Sequence, residues 1–135
     1  MALKMADLNV GDTYTECLVE DLKRTQIVQY AGSSGDYNPL HTDEVFTTQV
    51  AGYPSVFAHG MLTMGMTGRM LTNYVGDGRL TKYGVRFTNQ VWPGDTLHST
   101  ATVESVDDGV VNLEVQTTNQ DGTVVLSGYA AARVD

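Results

Sequence analysis

The segment SGDYNPLH, residues 34–41, combines an acid, an amide, a proline and an imidazole in one short polar stretch. Asp36 and His41 frame the pattern D-x-N-P-x-H, with Asn38 and Pro39 between them. The turn chemistry of Asn38-Pro39 shortens the chain path, so the carboxylate and the imidazole can point at a common spot. Such a pair is suited to general acid–base chemistry. The structural alternative is that Asp36 and Asn38 only satisfy turn amides, while His41 caps the next helix.

A second short motif, His59-Gly60, opens the most apolar helix candidate of the chain. The first N–H groups of a helix have no intrahelical partner, and the helix dipole favours negative charge there. An acid–base pair beside such a helix start has the parts that chemistry at a carbonyl needs, since one side moves protons and the other holds an oxyanion. The two motifs together therefore form a candidate catalytic site.

The first half of the chain is predicted to be helical between turn signals. Asp21 is expected to cap a helix over residues 22–33, and a short helix is expected over residues 43–50. Between them, Pro39 should end any helical continuation and push Asn38 toward an extended conformation. The candidate acid and base then lie in the connection between two helices.

The stretch AHGMLTMGMTGRMLTNYV, residues 58–75, predicts a long helix. Its apolar side chains surround most of the circumference, so the helix should be buried on more than one side. Gly65 and Gly68 each cost about 1 kcal/mol relative to Ala in a helix interior. That cost indicates a close approach to the helix by a sheet, a partner chain or a ligand.

The hydrophobic period changes to two in the second half of the chain. The alternation predicts four strands separated by turns at PGD, DDG and DG, and one earlier strand; the five runs lie near residues 13–19, 82–88, 97–104, 111–116 and 123–134. One long apolar helix and one antiparallel sheet predict an α+β fold in which the sheet wraps around the helix.

Composition limits the function classes. The chain has 135 residues, which predicts one globular domain over residues 1–135. Its net charge of −8 argues against binding of nucleic acid or of an anionic membrane surface. Cys17 is the only cysteine; we expect it to be a small buried residue in a cytoplasmic protein. No stretch approaches the roughly 20 apolar residues of a membrane span, and one Cys with scattered His residues does not predict a metal site.

Three motifs in order carry a family resemblance. SGDYNPLH is followed after 17 residues by HGMLTMG and then by VRFTNQVWPGDTL, and this series resembles the MaoC-like hydratase/dehydratases of the hot-dog fold from about residue 10 onward. Within that family, the stretch AHGMLTMG and the shape of the N-terminal part look most like the catalytic B subunit of mycolate-type (3R)-hydroxyacyl-acyl-carrier-protein dehydratases.

The resemblance implies a hydro-lyase of fatty-acid metabolism, of the enoyl-CoA hydratase 2 or 3-hydroxyacyl-acyl-carrier-protein dehydratase type. Its reaction is the reversible syn hydration of a trans-2-enoyl thioester to the (3R)-3-hydroxyacyl thioester. By position in the motifs, Asp36 and His41 are the catalytic pair. Asn38 helps to orient the water or the pair, and the backbone N–H of Gly60 is the oxyanion donor.

The resemblance also suggests how the substrate is held. Residues near the helix start and one strand cation are expected to bind substrate: His59, Met61, Met64 and Arg86. No cofactor is implied, because coenzyme A or phosphopantetheine enters as part of the substrate, and no metal is implied. The expected partners are the acyl thioester substrate and a second hot-dog chain in a homodimer or heterodimer. Acyl carrier protein is a further candidate partner.

Two alternatives stay open at this point: a non-catalytic stabilising or acyl-thioester-binding subunit of a heteromeric dehydratase, and a hot-dog thioesterase. The chain also departs from the family pattern. Some relatives carry a Ser that supports the aspartate one or two turns beyond Gly60, whereas this chain reads Met66-Thr67-Gly68. The support could then come from Thr67, from Thr63 or from neither.

Overall fold

Apolar side chains at every second position of the second half of the chain produce an antiparallel sheet. The computed structural model describes residues 3–135. Its elements in chain order are β1 (Thr13–Val19), α1 (Arg24–Ser34), α2 (Pro39–Thr42), α3 (Gly60–Val75), β2 (Leu80–Phe87), β3 (Leu97–Asp107), β4 (Val110–Thr118) and β5 (Val124–Arg133). A 3₁₀ turn over Met5–Asp7 precedes β1, and a π-helical segment over Phe46–Val50 lies between α2 and α3.

The sheet has five strands in the order β1-β3-β4-β5-β2, so β1 and β2 are its edges. One face of the central strands is buried at alternate positions: Leu97, Ser99, Ala101 and Val103 on β3, and Val111, Leu113, Val115 and Thr117 on β4. The helix α3 supplies Met70, Leu71 and Val75 to the same hydrophobic core. The predicted α+β architecture, a sheet packed around one long helix, is confirmed.

A short chain of buried hydroxyls joins α3 to the sheet. Thr67 of α3 and Thr117 of β4 share a hydrogen bond of 2.8 Å between their hydroxyl oxygens. Thr117 donates in turn to the hydroxyl of Ser99 on β3, at 2.9 Å. Buried polar groups are costly unless they are paired, so this chain fixes the height and rotation of α3 on the sheet.

The long helix starts two residues later than predicted, because His59 is its N-cap with extended backbone angles (φ −60°, ψ 136°). Gly68 confirms the expected close approach by the sheet, since a Cβ at this position would lie 3.3 Å from the Tyr83 ring. Gly65 does not: a Cβ there would meet no atom of the described chain within 4 Å. The buried part of the circumference of α3 is also smaller than predicted, because Met61 is 55% exposed.

One helix prediction in the first half needs correction. Asp21 does not cap α1: its φ of 51° is left-handed, and the helix starts after Lys23, whose backbone N–H donates to the Gln26 side chain. As predicted, no helix continues through Asn38, whose backbone is extended (φ −53°, ψ 131°). Pro39 then begins a new helix, because the N–H that proline lacks is unpaired anyway at a first helical position. The helix expected over residues 43–50 is present: residues 44–45 are α-helical and continue directly into the π-helical segment Phe46–Val50.

Cys17 is exposed on the edge strand β1, so the expectation that it is buried was wrong. Within residues 3–135, no helix has the length and apolar character needed to cross a lipid bilayer.

Two glycine substitutions test the packing of β2 against β5. A Cβ at Gly128 would overlap the carbonyl oxygen of Gly84 and would lie 2.8 Å from the Cα of Val85, and backbone atoms cannot move aside easily. Gly128→Ala should therefore lower the free energy of unfolding by about 3 kcal/mol. The matched control is Gly32→Ala in α1, where no atom lies within 4 Å, and it should raise that free energy by about 1 kcal/mol. Urea unfolding measures both, and equal effects would contradict the packing described here.

Candidate active site

A tight turn places Asp36 and Asn38 between α1 and α2. Gly35 ends α1 in the left-handed conformation (φ 76°). The Asp36 carboxylate then accepts the N–H of Asn38 at 3.2 Å, and the Asn38 side-chain oxygen accepts the N–H of Leu40 at 3.0 Å as the N-cap of α2. Both side chains therefore do satisfy turn amides, as the structural alternative expects. The turn also reverses the chain direction, which brings the His41 side chain close to that of Asp36.

His41 is half-buried at the end of α2, and its ring is held by a main-chain group. Its Nδ1–H donates to the carbonyl oxygen of Phe57 at 2.6 Å, and the ring edge packs against the Phe57 ring at a centroid distance of 5.3 Å. Because Nδ1 carries the proton, the lone pair of the neutral imidazole is on Nε2. His41 is thus oriented as a proton acceptor at Nε2.

His59 lies directly behind this pair. Its side chain is 1% exposed, its Nε2–H donates to the main-chain oxygen of Asp36 at 2.9 Å, and its ring stacks on that of His41. The two imidazole centroids are 3.9 Å apart, with 26° between the planes. The structure therefore brings Asp36 and His41 together, as the motif predicts, and adds a second imidazole that the motif does not contain.

The donor atoms of Asp36, His41 and His59 all lie within 4.8 Å of one another, which raises the question of a metal ion. These three residues would be the ones to hold it. However, the two stacked rings are nearly parallel, so their in-plane lone pairs do not converge on one point. This donor set fits proton transfer better than coordination of a metal.

The surroundings keep His41 neutral. Burial lowers the pKa of His41 below its ordinary value of 6.5, and the positive charge that His59 could carry lowers this pKa further. The Phe57 carbonyl and the Asp36 carboxylate act in the opposite direction, but burial is the largest effect and the pKa remains lowered. At neutral pH, His41 is therefore a free base beside a carboxylate.

A cleft of about 290 Å³ opens beside the start of α3. Its lining includes Gly60, Thr63, Phe57 and Phe87, together with Ala58, Thr88, Asn89, Gln90, Val91 and Val125. The Phe87 ring covers Gly60 so closely that a Cβ at this position would lie 3.1 Å from three ring carbons. Within residues 3–135, the N–H of Gly60 donates no hydrogen bond, as expected for the first residue of a helix.

The four predicted substrate-binding residues are not together. Met61 is exposed next to Gly60, and Met64 lies one turn further, where its main-chain oxygen accepts the Tyr83 hydroxyl at 2.7 Å. His59 is buried behind the pair, so its side chain is not in contact with the cleft opening. Arg86 is exposed. Tyr83 of β2 faces α3, and side chains alternate between the two faces of a strand, so Arg86, three residues later, lies on the opposite face of the sheet.

One further contribution to the site was not predicted. The Phe57 carbonyl orients His41, and a main-chain acceptor of this kind leaves no signal in the sequence. The question of a supporting hydroxyl for Asp36 is also answered. Thr67 is bonded to Thr117, and the buried hydroxyl of Thr63 has no partner within the described chain, so neither supports the carboxylate.

Comparison with known proteins identifies the family of the chain. The sequence model of the family described as MaoC like domain matches residues 7–125. The 3-hydroxyacyl-thioester dehydratase Y of Mycobacterium tuberculosis is 48% identical over 67 residues, which cover 47% of this chain and 23% of that protein. Enoyl-CoA hydratase ChsH3 of the same organism is 39% identical over 98 residues, 70% of this chain and 32% of that protein. The chain thus spans about a quarter to a third of these relatives.

Solved structures share the whole fold. The unliganded R-hydratase PhaJ1 from Pseudomonas aeruginosa superposes with a TM-score of 0.85 at 26% identity, covering 98% of this chain and 86% of that chain. A Mycobacterium tuberculosis protein with a double hotdog fold gives 0.78 at 21% identity, covering 98% of this chain and 44% of that chain. The predicted hot-dog fold is confirmed. Because the family match extends over most of the sequence, the chain belongs to the family of MaoC-like domains.

Proposed function

We propose that this protein catalyses the reversible hydration of trans-2-enoyl thioesters to (3R)-3-hydroxyacyl thioesters, with Asp36 and His41 as its acid–base pair. One observation carries the proposal: the carboxylate and the imidazole lie within 4.8 Å of each other, beside a helix start whose first N–H is unpaired within the described chain. The names of its relatives, a hydroxyacyl-thioester dehydratase and an enoyl-CoA hydratase, support the same reaction.

In the hydration direction, the pair handles one water molecule. The lone pair on His41 Nε2 and the Asp36 carboxylate remove a proton from the water, whose oxygen forms a bond to C3 of the enoyl group. The pair then returns a proton to C2. Both new bonds come from the side of the pair, so the addition is syn. The reaction balances with water alone and needs no electron transfer, and coenzyme A or phosphopantetheine is part of the substrate.

Gly60 supplies the electrostatic part of the mechanism. As hydroxide adds to C3, negative charge moves onto the thioester oxygen, and the reverse reaction passes through the same enolate-like charge. The Gly60 N–H at the first position of α3, helped by the helix dipole, is placed to hold this oxygen. Phe87 packs beside Gly60 and supplies an apolar wall next to this helix start.

The described residues suggest where the rest of the substrate binds. We assign the acyl thioester to the cleft beside Gly60. Met61 and Met64 follow Gly60 on α3 but are not part of the lining of this cleft. Asn38 is assigned a supporting role, because its side chain is used to cap α2 and so fixes the turn. Arg86, on the outer face of the sheet, could meet only a distant part of the carrier or a second chain.

The chain is proposed to act as one domain over residues 1–135, paired with a second hot-dog chain that is identical or related. The edge strand β2 leaves one row of backbone groups for such pairing, and Phe87 and Tyr129 beside it are about half exposed. The unpaired thiol of Cys17 on the other edge suits a reducing compartment, and we propose the cytoplasm. The proposed carrier of the acyl group is coenzyme A or acyl carrier protein.

The acid–base pair is tested by Asp36→Asn and His41→Ala. With crotonyl-CoA and longer enoyl thioesters, each variant should lose about 10²- to 10⁴-fold in kcat, because the proton has no acceptor of the right strength. The loss of absorbance of the conjugated thioester measures the rate. Matched controls are Asp121→Asn in an exposed turn and His98→Ala on the exposed face of β3, and both should keep the wild-type rate.

Three results would contradict this assignment. Full activity in both variants would remove Asp36 and His41 from the mechanism. Free thiol released by the wild-type protein at the rate of substrate loss would identify a thioesterase. An inactive wild-type protein that activates a related subunit, with Asp36 and His41 dispensable in the complex, would identify a non-catalytic partner.

The oxyanion donor is tested by comparing Gly60→Pro with Gly60→Ala. Proline is accepted at a first helical position and removes the N–H, and the extended backbone of His59 suits the residue before a proline. Alanine adds the same Cβ against Phe87 but keeps the N–H. Gly60→Pro should therefore be about 10²- to 10³-fold slower in kcat than Gly60→Ala. Equal rates for the two folded variants would rule out this N–H as the donor.

The pH dependence should report His41. Its lowered pKa means that the folded protein holds the neutral form down to a pH below 6.5, and the neutral form accepts the proton from water. The value of kcat/KM should therefore be level near neutral pH and fall on acidification with a midpoint below 6.5. Rates measured between about pH 5 and 8 check this, with the His41 ring signal followed by NMR over the same range. A midpoint for this ring above 6.5 would contradict it.

A further inference from the structure

His59 is a buried side chain that the proposed mechanism does not use. It precedes α3 as its N-cap residue, but its side chain makes no capping hydrogen bond to the helix. The ring is turned instead toward the connection between α1 and α2, where it is 1% exposed. Its outer edge is covered by Tyr30 of α1, with the two ring centroids 4.8 Å apart and 63° between the planes.

This single residue contacts every part of the proposed site. Nε2–H donates to the main-chain oxygen of Asp36 at 2.9 Å, and the ring face stacks on His41 at 3.9 Å. The next residue in the chain is Gly60, whose N–H is the proposed oxyanion donor. His59 is therefore the only described residue that connects the acid, the base and the helix start at once. Burial prevents direct contact with substrate, so the substrate-binding role expected for it does not fit its position.

The contacts suggest how the connection works. Asp36 is exposed, its carboxylate accepts the N–H of Asn38, and its own N–H donates to the Ser34 hydroxyl at 3.2 Å. Both contacts are local to the turn, so neither connects Asp36 to α3. The hydrogen bond from His59 supplies an anchor for the Asp36 main chain from the start of α3. The stacked ring prevents His41 from rotating away from the Phe57 carbonyl. Because α3 is itself fixed to the sheet, the turn and the helix start are held in one frame.

We propose that His59 is a positioning residue: it aligns Asp36 and His41 with the Gly60 N–H through one main-chain hydrogen bond and one ring stack, without touching substrate. This inference rests on the proposed function. It predicts that His59 contributes to kcat and little to KM. It also predicts that the hydrogen bond and the stack can be separated, since one needs an N–H donor and the other needs a flat ring.

The two contacts are separated by His59→Gln and His59→Phe. Glutamine can place an N–H donor close to the position of Nε2 but has no ring, whereas phenylalanine keeps the ring and loses the donor. A displacement of Asp36 by about 1 Å can cost about 10²-fold, so His59→Phe should lower kcat by about that factor while KM changes less than about 3-fold. His59→Gln should recover kcat to within about tenfold of wild type, because it restores the anchor.

A stability-matched control separates positioning from general loss of packing. Leu113→Ala in the sheet core, away from the site, should lower the midpoint of thermal unfolding at least as much as His59→Phe but keep kcat. A double variant adds a second test. In the Asp36→Asn background, His59→Phe should cost less than about 3-fold in kcat, because both changes disable the same unit.

A measurement without substrate distinguishes this inference from the proposed function. The ¹³C resonance of the Asp36 main-chain carbonyl should move in His59→Phe and stay near its wild-type value in His59→Gln. If the wild-type protein hydrates no enoyl thioester, the proposed function fails, and this resonance alone decides whether the contact exists. If the wild-type protein is active and His59→Phe keeps kcat within about 3-fold, or lowers it no more selectively than Leu113→Ala, the positioning role is overturned while the proposed function stands.

Discussion

The site depends on one cross-connection: the hydrogen bond from His59 Nε2–H to the main-chain oxygen of Asp36. This bond joins two segments that lie 23 residues apart in the chain, a polar turn and the start of a buried helix. Without it, the turn between α1 and α2 would be held near α3 mainly by ring contacts and by the Phe57 carbonyl. A buried N–H that loses its acceptor raises the free energy of the protein by about 1–3 kcal/mol. This penalty opposes any movement of the turn away from His59.

The sheet determines where this connection is made. The hydroxyls of Thr67, Thr117 and Ser99 fix α3 at one height, and the Tyr83 hydroxyl bonds to its backbone one turn closer to the site. Polar contacts have directional geometry, whereas purely apolar packing allows a helix to slide or rotate by small amounts. The apolar core supplies the stability of the domain, and the buried hydroxyls specify the position of the helix start to which the catalytic segment is attached.

Much of this arrangement could be predicted from sequence, and the exceptions have physical causes. The period-two pattern predicted β2 to β5, and the apolar run predicted α3, because both signals are local and strong. The turn residues Asp36 and Asn38 were found for the same reason. The start of α1 was predicted wrongly, because the Lys23 main chain and Gln26 form the cap where Asp21 seemed the better residue. Asn38 is extended before Pro39 as predicted, but the new helix that starts at Pro39 was not predicted.

The contacts that complete the site were beyond sequence reasoning. The acceptor for His41 is a main-chain oxygen at residue 57, and any residue type could provide it. His59 was recognised as important only because it precedes Gly60, and its role was assigned to substrate because its burial was not visible in the pattern. Arg86 was expected near the substrate, but strand alternation directs it to the outer face, and this depends on which residue of β2 faces α3.

Both imidazoles of the site commit one N–H to a main-chain oxygen, His41 to Phe57 and His59 to Asp36. Exchange of either tautomer would remove the N–H that a main-chain oxygen accepts. Of the many protonation microstates open to two neighbouring histidines and a carboxylate, the fold thus retains a small subset. A proton that enters the site has one ring nitrogen facing the reaction on which to reside, so each turnover begins and ends from the same charge distribution.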